Sequence, residues 1–209
     1  MHIEPGMLAQ AKILFASVSA SGVLAAHAIG LFRQPALILR TVLAAVFFSL
    51  FMQSFHLPVG PSELHFVGAM PIYLTLGFVP TLLGFGLGLL VQGLLFEPAD
   101  LLHLGVNTLS LAVPLMVLHH TVGKRIRTLS IANILRLDAI YYTGVTVMVG
   151  LWLSVGEVAT PLTAWGTFAA SYLAIVAIEP VLTFITVKLL QRYADRPAMR
   201  VCFALAGRA

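Results

Sequence analysis

Long apolar stretches separated by short polar connections constrain the fold of this chain more than any other feature of its sequence. A membrane-spanning helix needs about 20 mostly apolar residues, and candidate stretches lie at about residues 7–31, 39–55, 64–76, 81–96, 101–118, 139–155 and 162–187. Only 10% of the 209 residues are charged, whereas soluble domains carry about 25%. The sequence therefore predicts an all-α membrane protein, a bundle of about seven transmembrane helices in a single integral membrane domain over residues 1–209.

The third apolar stretch is short and follows a segment that is typical of a loop. Pro58, Gly60 and Pro61 come directly before it, and proline and glycine in this density favour a turn over a helix. We therefore expect the loop to dip into the bundle and to lead into a short helix, with His65 at the start of that helix.

The distribution of charge along the chain predicts its orientation. Counted from an outer N-terminus, the connections on the inner side are basic and hold Arg33, Arg40, Lys124, Arg125, Arg127, Arg136 and the C-terminal tail. The outer connections hold acidic residues and neither lysine nor arginine: Glu4, Glu63, Glu97, Asp100 and Glu157. Lys12 sits apart, near the outer end of the first stretch. By the positive-inside rule, we expect a multi-pass protein of the cell inner (cytoplasmic) membrane, with the N-terminus outside and tucked into the bundle and the C-terminus cytoplasmic. The basic charge thus marks one side of a bilayer and not a nucleic-acid partner.

The first six residues, Met1-His2-Ile3-Glu4-Pro5-Gly6, contain donors that suit a transition metal. The α-amine of Met1, the amide nitrogen of His2 and the imidazole of His2 are able to fold around one ion as a fused chelate. Nitrogen donors in a plane suit Ni(II) or Cu(II) and tolerate Co(II). Pro5 and Gly6 favour a turn that lets the tip tuck back. No cationic segment precedes the first apolar stretch, so we expect no cleavable signal peptide. The alternative is that His2 is a frayed terminal residue.

A fourth nitrogen donor is available from the loop before the short helix. The four-nitrogen hypothesis adds either ring nitrogen of His65 to the three donors of Met1 and His2. The alternative is that His65 is an interfacial histidine at a helix start. Because the outer connections are acidic, they would raise the local concentration of cations around these groups.

Polar side chains inside the apolar stretches are costly in hydrocarbon and usually face the bundle interior. They are Gln92, His103, Asn107 and Glu179, with His27 nearer the inner side. Gln92, Asn107 and Glu179 would orient the imidazoles of the metal site, and the alternative for Gln92 and Asn107 is hydrogen bonding between helices. His119 and His120 lie at the predicted inner interface, far from this set, and we expect them to be interfacial.

Four stretches of the sequence resemble motifs of one family of membrane proteins. Met1-His2-Ile3, followed by an acid and Gly6, is similar to that family's N-terminus. Gly60-Pro-Ser-Glu-Leu-His65-Phe-Val-Gly68 resembles its Gly-Thr-Ser-x-His-Leu-x-Gly loop. Val91-Gln92-Gly-Leu-Leu-Phe96 with Leu104-Gly-Val-Asn107, and Ile178-Glu179-Pro-Val-Leu-Thr183, resemble two further motifs in the same order. The family is CbiM/NikM, the cobalt/nickel substrate-capture (permease) component of energy-coupling-factor ABC transporters.

The resemblance implies a function for the chain and a set of partners. Members have seven spans, with the N-terminus reaching into the bundle, and the implied metal ligands are Met1, His2 and His65. Ni2+ or Co2+ would be the transported substrate, and no cofactor and no catalytic residue is implied, so we expect the protein not to be an enzyme. The sequence contains no Gly-x-x-x-x-Gly-Lys-Ser/Thr motif for binding ATP. By resemblance, a transmembrane coupling subunit and two ATPase subunits would drive uptake, together with a small accessory membrane subunit.

The sequence departs from the family motifs at two places. Pro180 stands where the family has glycine after the last-helix glutamate, and it should kink that helix. The loop carries Glu63 and one more residue than usual between its serine and His65.

Two other functions compete with metal capture. One is a vitamin-capture subunit of the same transporter class, which would need a larger aromatic-lined pocket. The other is an intramembrane metal-dependent hydrolase, although the sequence contains no His-Glu-x-x-His motif.

Overall fold

A computed structural model describes residues 7–59, 62–126, 128–158 and 160–205, and this part of the chain is an all-α bundle with one small hairpin. The helices are α1 Gln10–Ala28, α2 Pro35–Ser54, α3 Ala69–Leu76, α4 Phe78–Leu95, α5 Leu104–Leu118, α6 Ile131–Ser154, α7 Leu162–Gln191 and α8 Pro197–Cys202. Six of the described helical segments are long and apolar enough to cross a membrane, namely those containing α1, α2, α4, α5, α6 and α7. The predicted all-α membrane bundle is confirmed.

The third predicted span consists of a β-hairpin followed by a short helix. Strands β1 (His56–Val59) and β2 (Ser62–His65) pair antiparallel, with His56 opposite His65. Helix α3 then begins at Ala69 and is buried along its whole length. Six of the described helices are therefore long enough to cross a membrane, one fewer than the about seven spans predicted, and the third predicted span is instead this hairpin and the buried 8-residue helix α3.

The prediction that His65 starts a helix is wrong, because His65 ends strand β2. Gly68 separates the strand from α3 with a left-handed backbone, φ 59° and ψ 41°, which glycine adopts without steric cost. A Cβ at this position would lie 2.2 Å from Cδ2 of Phe51. Glycine is therefore required here both by the backbone angle and by the close approach of α2.

Helix α6 begins earlier than the apolar pattern predicts. The side chain of Ser130 accepts a 3.2 Å hydrogen bond from the backbone N–H of Asn133, an N-cap that opens the helix at Ile131. Asp138 therefore lies within the helix, and its side chain is fully buried, whereas the predicted sixth stretch begins only at residue 139. Short 3-10 turns also extend the long helices, after α1 at Ile29–Arg33 and before α5 at Pro98–His103.

Small residues bring the long helices close together. Helix α2 packs on α4, α4 on α5, α5 on both α1 and α6, and α6 on α7, while α3 lies among α2, α4, α6 and α7. A Cβ added at Gly84 would lie 2.4 Å from Cβ of Ala44, and one added at Gly88 would lie 2.4 Å from Cδ1 of Phe48. Glycine lets helix backbones approach in this way, so α2 and α4 pack closely along these residues.

The alternating helices define two ends of the bundle. We call the end where α1 begins and where α2, α4 and α6 finish the predicted outer end. Lys12 Nζ lies 2.8 Å from a carboxylate oxygen of Glu157 there, and the backbone N–H of Glu157 donates a 2.9 Å hydrogen bond to the carbonyl of Met7. These contacts join the start of α1 to the connection between α6 and α7.

The C-terminal segment is fastened at the opposite, predicted inner end. The guanidinium of Arg40 on α2 donates hydrogen bonds to the carbonyls of Arg200, Val201 and Phe203, at 2.6, 2.9 and 3.0 Å. The N–H of Ala204 donates to the carbonyl of Thr75 at 2.6 Å. Helix α8 is thereby tied to α2 and to the last turn of α3.

Candidate metal-binding site

Strand β2 directs Glu63 and His65 to the same side of the hairpin. Side chains alternate between the two faces of a strand, and Leu64, between them, is 3% exposed and packs in the apolar core. Oε2 of Glu63 lies 2.9 Å from Nε2 of His65. The side chain of His65 is almost fully buried, whereas that of Glu63 is 38% exposed. The carboxylate therefore connects the buried imidazole with the surface.

The ring of His65 is also covered on one face. His56 lies opposite it in the strand register, and the two imidazoles are stacked with their centroids 6.1 Å apart and their planes 27° apart. Cross-strand neighbours of this kind interact through their side chains. The Nε2 edge of the His65 ring thus points to Glu63, and the ring of His56 lies beside it in a stacked arrangement.

A cavity of about 340 Å³ lies at this place, at the predicted outer end of the bundle. Its walls come from the hairpin and from the ends of α2 and α4, and it is lined by Met52, Gln53, His56, Glu63, His65, Gln92, Leu95, Phe96, Glu97 and Asp100. Three carboxyl groups and two imidazoles thus face one space. A concave surface with negative charge and apolar walls raises the local concentration of cations.

Gln92 supports the wall of this cavity. Its side chain is 2% exposed. Its Oε1 accepts a 2.7 Å hydrogen bond from Nε2 of Gln53, and its Nε2 donates a 2.8 Å hydrogen bond to the carbonyl of Ser49. Gln92 therefore joins α4 to α2 while facing the same cavity as His65. These two hydrogen bonds are of the helix-to-helix kind that was the alternative for Gln92, and its predicted role toward the imidazole of His65 stays a prediction.

Glu179 and Asn107 are not among the residues that line the cavity. Glu179, on α7, is fully buried and accepts a 2.8 Å hydrogen bond from the backbone N–H of Met70 and another from the hydroxyl of Tyr142. Met70 lies in the first turn of α3, where backbone N–H groups lack partners within the helix. Glu179 thus anchors the helix that follows the hairpin. Asn107 is buried on α5, at 1% exposure. Their predicted role toward the imidazoles stays a prediction.

The remaining histidines are spread over the bundle. His103 is buried at the end of the 3-10 turn before α5. His119 lies at the predicted inner end, stacked on Phe78 with ring centroids 4.0 Å apart, and its Nδ1 is 2.8 Å from the hydroxyl of Tyr73. His27 and His120 contact the same phenylalanine ring edge-on. His119 and His120 therefore serve an aromatic cluster away from the cavity.

Met1 and His2, which carry the predicted chelate, lie outside the described residues. Within the described part of the chain, no three His, Cys, Asp or Glu side chains are close enough together to hold a metal ion. His65, the third predicted ligand, stands in the cavity wall among Glu63, His56 and Gln92. The structure therefore describes one predicted ligand and its surroundings.

Sequence reasoning missed His56 and Gln53 as neighbours of His65. The signal for His56 was present, because Pro58, Gly60 and Pro61 mark a tight turn between two short segments. A hairpin that turns there pairs His56 with His65. The contact of Gln53 with Gln92 depends on how α2 packs on α4, which the residue pattern does not specify.

Fold and cavity together define a class: a polytopic, all-α membrane protein with an acidic, histidine-containing cavity at one end. The chain belongs to the CbiM family, since the family model described as the cobalt uptake substrate-specific transmembrane region matches residues 2–197. The protein is therefore a membrane component of a metal transporter.

Two solved structures share this fold. One, described as the crystal structure of a transition metal transporter, superposes with a TM-score of 0.71 at 21% identity, covering 95% of this chain and 96% of that one. The other, described as a truncated transition metal transporter, has a TM-score of 0.69 at 21% identity and covers 92% of this chain and 99% of that one. A search of curated proteins gives no match.

Proposed function

We propose that this chain is the substrate-capturing membrane subunit of an energy-coupling-factor ABC transporter, and that it binds Ni2+ or Co2+ from outside with Met1, His2 and His65. The observation that carries the proposal is the position of His65. This residue is 6% exposed and stands in the wall of an acidic cavity at the end of the bundle where α1 begins. Family membership supports metal transport, and the cavity supports the place of capture.

The reach of the N-terminal segment is compatible with this site. Met7 is held at the predicted outer end by its hydrogen bond from Glu157, and Leu8 is buried at 5% exposure in a cluster with Val106 and Trp152. Six residues precede Met7, and six residues span at most about 20 Å when extended. A segment of that length is able to cover a cavity at the same end of the bundle.

The proposed ligands suit the proposed metals. Three nitrogen donors from Met1 and His2 and one from His65 complete a four-nitrogen set, which Ni(II) accepts in a plane and Co(II) tolerates. Binding displaces the proton of the α-amine and that of the His2 amide. The affinity for metal must therefore fall as the pH falls.

The acidic cavity favours a cation over the competing substrates. Glu63, Glu97 and Asp100 line it, and Phe96 is the one phenylalanine, tyrosine or tryptophan in its described wall. A vitamin would need a larger pocket with aromatic walls. Carboxylates around the entrance instead attract a dication before it reaches its nitrogen ligands.

In this proposal, partner subunits supply the energy for transport. The sequence contains no motif for binding ATP phosphates, so the proposal includes a transmembrane coupling subunit and two ATPase subunits, with a small accessory membrane subunit. The complex would lie in the inner (cytoplasmic) membrane among its lipids, with this chain as its metal-binding part.

Metal titration of the purified protein with an unmodified N-terminus tests the proposal. We expect His65→Ala to lower the affinity for Ni2+ at least tenfold, as expected when a ligand is lost. His120→Ala is the matched control, because it removes an exposed histidine at the other end of the bundle, and it should bind as the parent protein does. If His65→Ala binds Ni2+ with unchanged affinity, His65 is not a metal ligand and the proposed site is wrong.

A further inference from the structure

We propose that Glu63 is a positioning residue that fixes which nitrogen of His65 faces the metal: it holds the proton of the neutral ring on Nε2 and leaves the lone pair of Nδ1 for coordination. The inference rests on the proposed function, in which His65 is a metal ligand. It assigns a role to a residue at which this sequence departs from the motif of its family.

The first step is the direction of one hydrogen bond. Oε2 of Glu63 lies 2.9 Å from Nε2 of His65. An ionised carboxylate only accepts hydrogen bonds, and a neutral imidazole has one donor nitrogen and one acceptor nitrogen. Nε2 must therefore donate, and the acceptor lone pair of the ring is on Nδ1. Of the two ring nitrogens left open by sequence reasoning, this contact selects Nδ1.

The second step is the backbone that makes the contact possible. Residues 63 and 65 are two positions apart on β2, so their side chains share one face of the strand. The register that places His56 opposite His65 places Pro58 opposite Glu63. Leu64, between them, is 3% exposed and anchors the strand in the core. The residue added in this loop thus lies within a regular strand and does not loosen the position of His65.

The third step is the orientation of the ring. His56 stacks on the face of His65 with its plane inclined by 27°, while Glu63 meets the Nε2 edge. The hydrogen bond to Glu63 fixes the direction of the Nε2 edge, and the neighbouring ring of His56 limits rotation of the imidazole on one side. A metal ligand that is held in this way loses little freedom when the ion binds, and a carboxylate bonded to the other ring nitrogen raises its basicity.

The fourth step is the balance of charge. In the proposed complex the deprotonated amide of His2 carries one negative charge and the dication carries two positive charges. Glu63 supplies the remaining negative charge beside the buried ring. A negative charge close to a cation attracts it more strongly in a partly buried site than in water, so Glu63 favours retention of the ion as well as the correct ring nitrogen.

The ring nitrogens of His65 are observable in the metal-free protein by nitrogen-15 NMR of histidine-labelled material, with His65→Gln to assign the signals. We expect a proton on Nε2, with a hydrogen-bonded N–H signal that disappears in Glu63→Ala and persists in Glu63→Gln, whose side-chain oxygen still accepts. A proton on Nδ1 in the parent protein would overturn the proposal.

Metal titration provides the second readout. We expect Glu63→Ala to lower the affinity for Ni2+ by roughly 10–100-fold, the usual effect of losing a group that orients a ligand, and Glu63→Gln to lower it less. Glu97→Gln is the matched control, because it removes the same charge from the same cavity. We expect a smaller loss of affinity and no change in the His65 signals. If Glu97→Gln and Glu63→Ala lose equal affinity for Ni2+, Glu63 acts only through its charge, and its positioning role is overturned.

The two readouts separate this inference from the proposed function. The NMR experiment contains no metal, so it tests the contact whether or not His65 is a ligand. If His65→Ala leaves the affinity unchanged while Nε2 carries the proton, the proposed function fails and the contact between the two side chains stands. If His65→Ala abolishes binding while Glu63→Ala changes neither the N–H signal nor the affinity, the proposed function stands and the inference fails.

Discussion

The carboxylate of Glu179, on the last long helix, accepts a 2.8 Å hydrogen bond from the backbone N–H of Met70 in the first turn of α3. Negative charge is favourable at a helix N-terminus, where N–H groups lack partners and the helix dipole is positive. The same carboxylate accepts a hydrogen bond from Tyr142 on α6. One buried side chain thus joins α6 and α7 to the helix that follows the hairpin of His65.

Glu179→Ala should destabilise the bundle. Each buried donor left without its acceptor costs about 1–3 kcal/mol, and both Met70 and Tyr142 lose theirs. We expect a clearly lower thermal midpoint in detergent and a weaker affinity for Ni2+. Glu179→Gln keeps one acceptor oxygen, so its thermal midpoint should lie between those of Glu179→Ala and the parent protein.

The control for this measurement is Glu157→Ala. That residue pairs with Lys12, and both side chains are substantially exposed, at 55% and 40%. An exposed ion pair contributes about 0–1 kcal/mol, so the midpoint should move little. Equal midpoints for Glu179→Ala and the parent protein would contradict the anchoring role of Glu179.

Gly84→Ala tests the close contact between α2 and α4. A Cβ at this position would lie 2.4 Å from Cβ of Ala44 and 3.1 Å from the backbone of that residue, so the helices must separate. Overpacking of this kind costs about 1–3 kcal/mol. We expect a lower thermal midpoint and, because Gln92 bonds the same two helices, a weaker affinity for metal.

Gly22→Ala is the matched substitution on α1. No atom outside the adjacent backbone of α1 lies within 4 Å of the added Cβ, and alanine is favoured over glycine in a helix by about 1 kcal/mol. The thermal midpoint should stay the same or rise. A fall as large as that of Gly84→Ala would show that helix packing around Gly84 is not the cause.

The orientation of the bundle is a separate prediction. A reporter fused after Arg208 should be active in the cytoplasm, and one placed in the segment from Glu97 to Asp100 should be active outside, because basic connections stay inside. An external C-terminus would place the cavity of His65 on the cytoplasmic side and contradict capture from outside.

The spans were predictable because hydrocarbon tolerates few charges, and each long helix matches an apolar stretch. The start of α6 was not predictable from this pattern. Asp138 interrupts the apolar sequence, yet the fold buries it completely, and the cap at Ser130 opens the helix well before the predicted stretch at 139–155. The helix therefore includes a buried carboxyl group that the apolar pattern of the sequence had excluded from the span.

The candidate site was predictable in its main residue and not in its surroundings. His65 stood out as a histidine after a turn, and Gln92 as a polar residue in an apolar stretch. Their meeting in one cavity follows from the packing of α2 on α4. The position of His56 follows from strand register, because a shift by one residue would move it to the other face. Helix packing and strand register depend on contacts between distant parts of the chain, which the residue pattern does not specify.

The order of the first two residues carries the sharpest prediction. The proposed chelate needs an unblocked α-amine directly before His2, so one glycine added before Met1 should destroy it by moving the imidazole to the third position and changing the ring sizes. We expect N-terminal acetylation, the added glycine and His2→Ala each to lower Ni2+ affinity at least tenfold, as for other lost ligands. The residues from Met7 onward are the same in all three, so the bundle should melt as in the parent protein. The measurement is metal titration after the mass of the intact N-terminus has been verified. An extended protein that binds as tightly as the native one would show that the terminal amine is not a ligand.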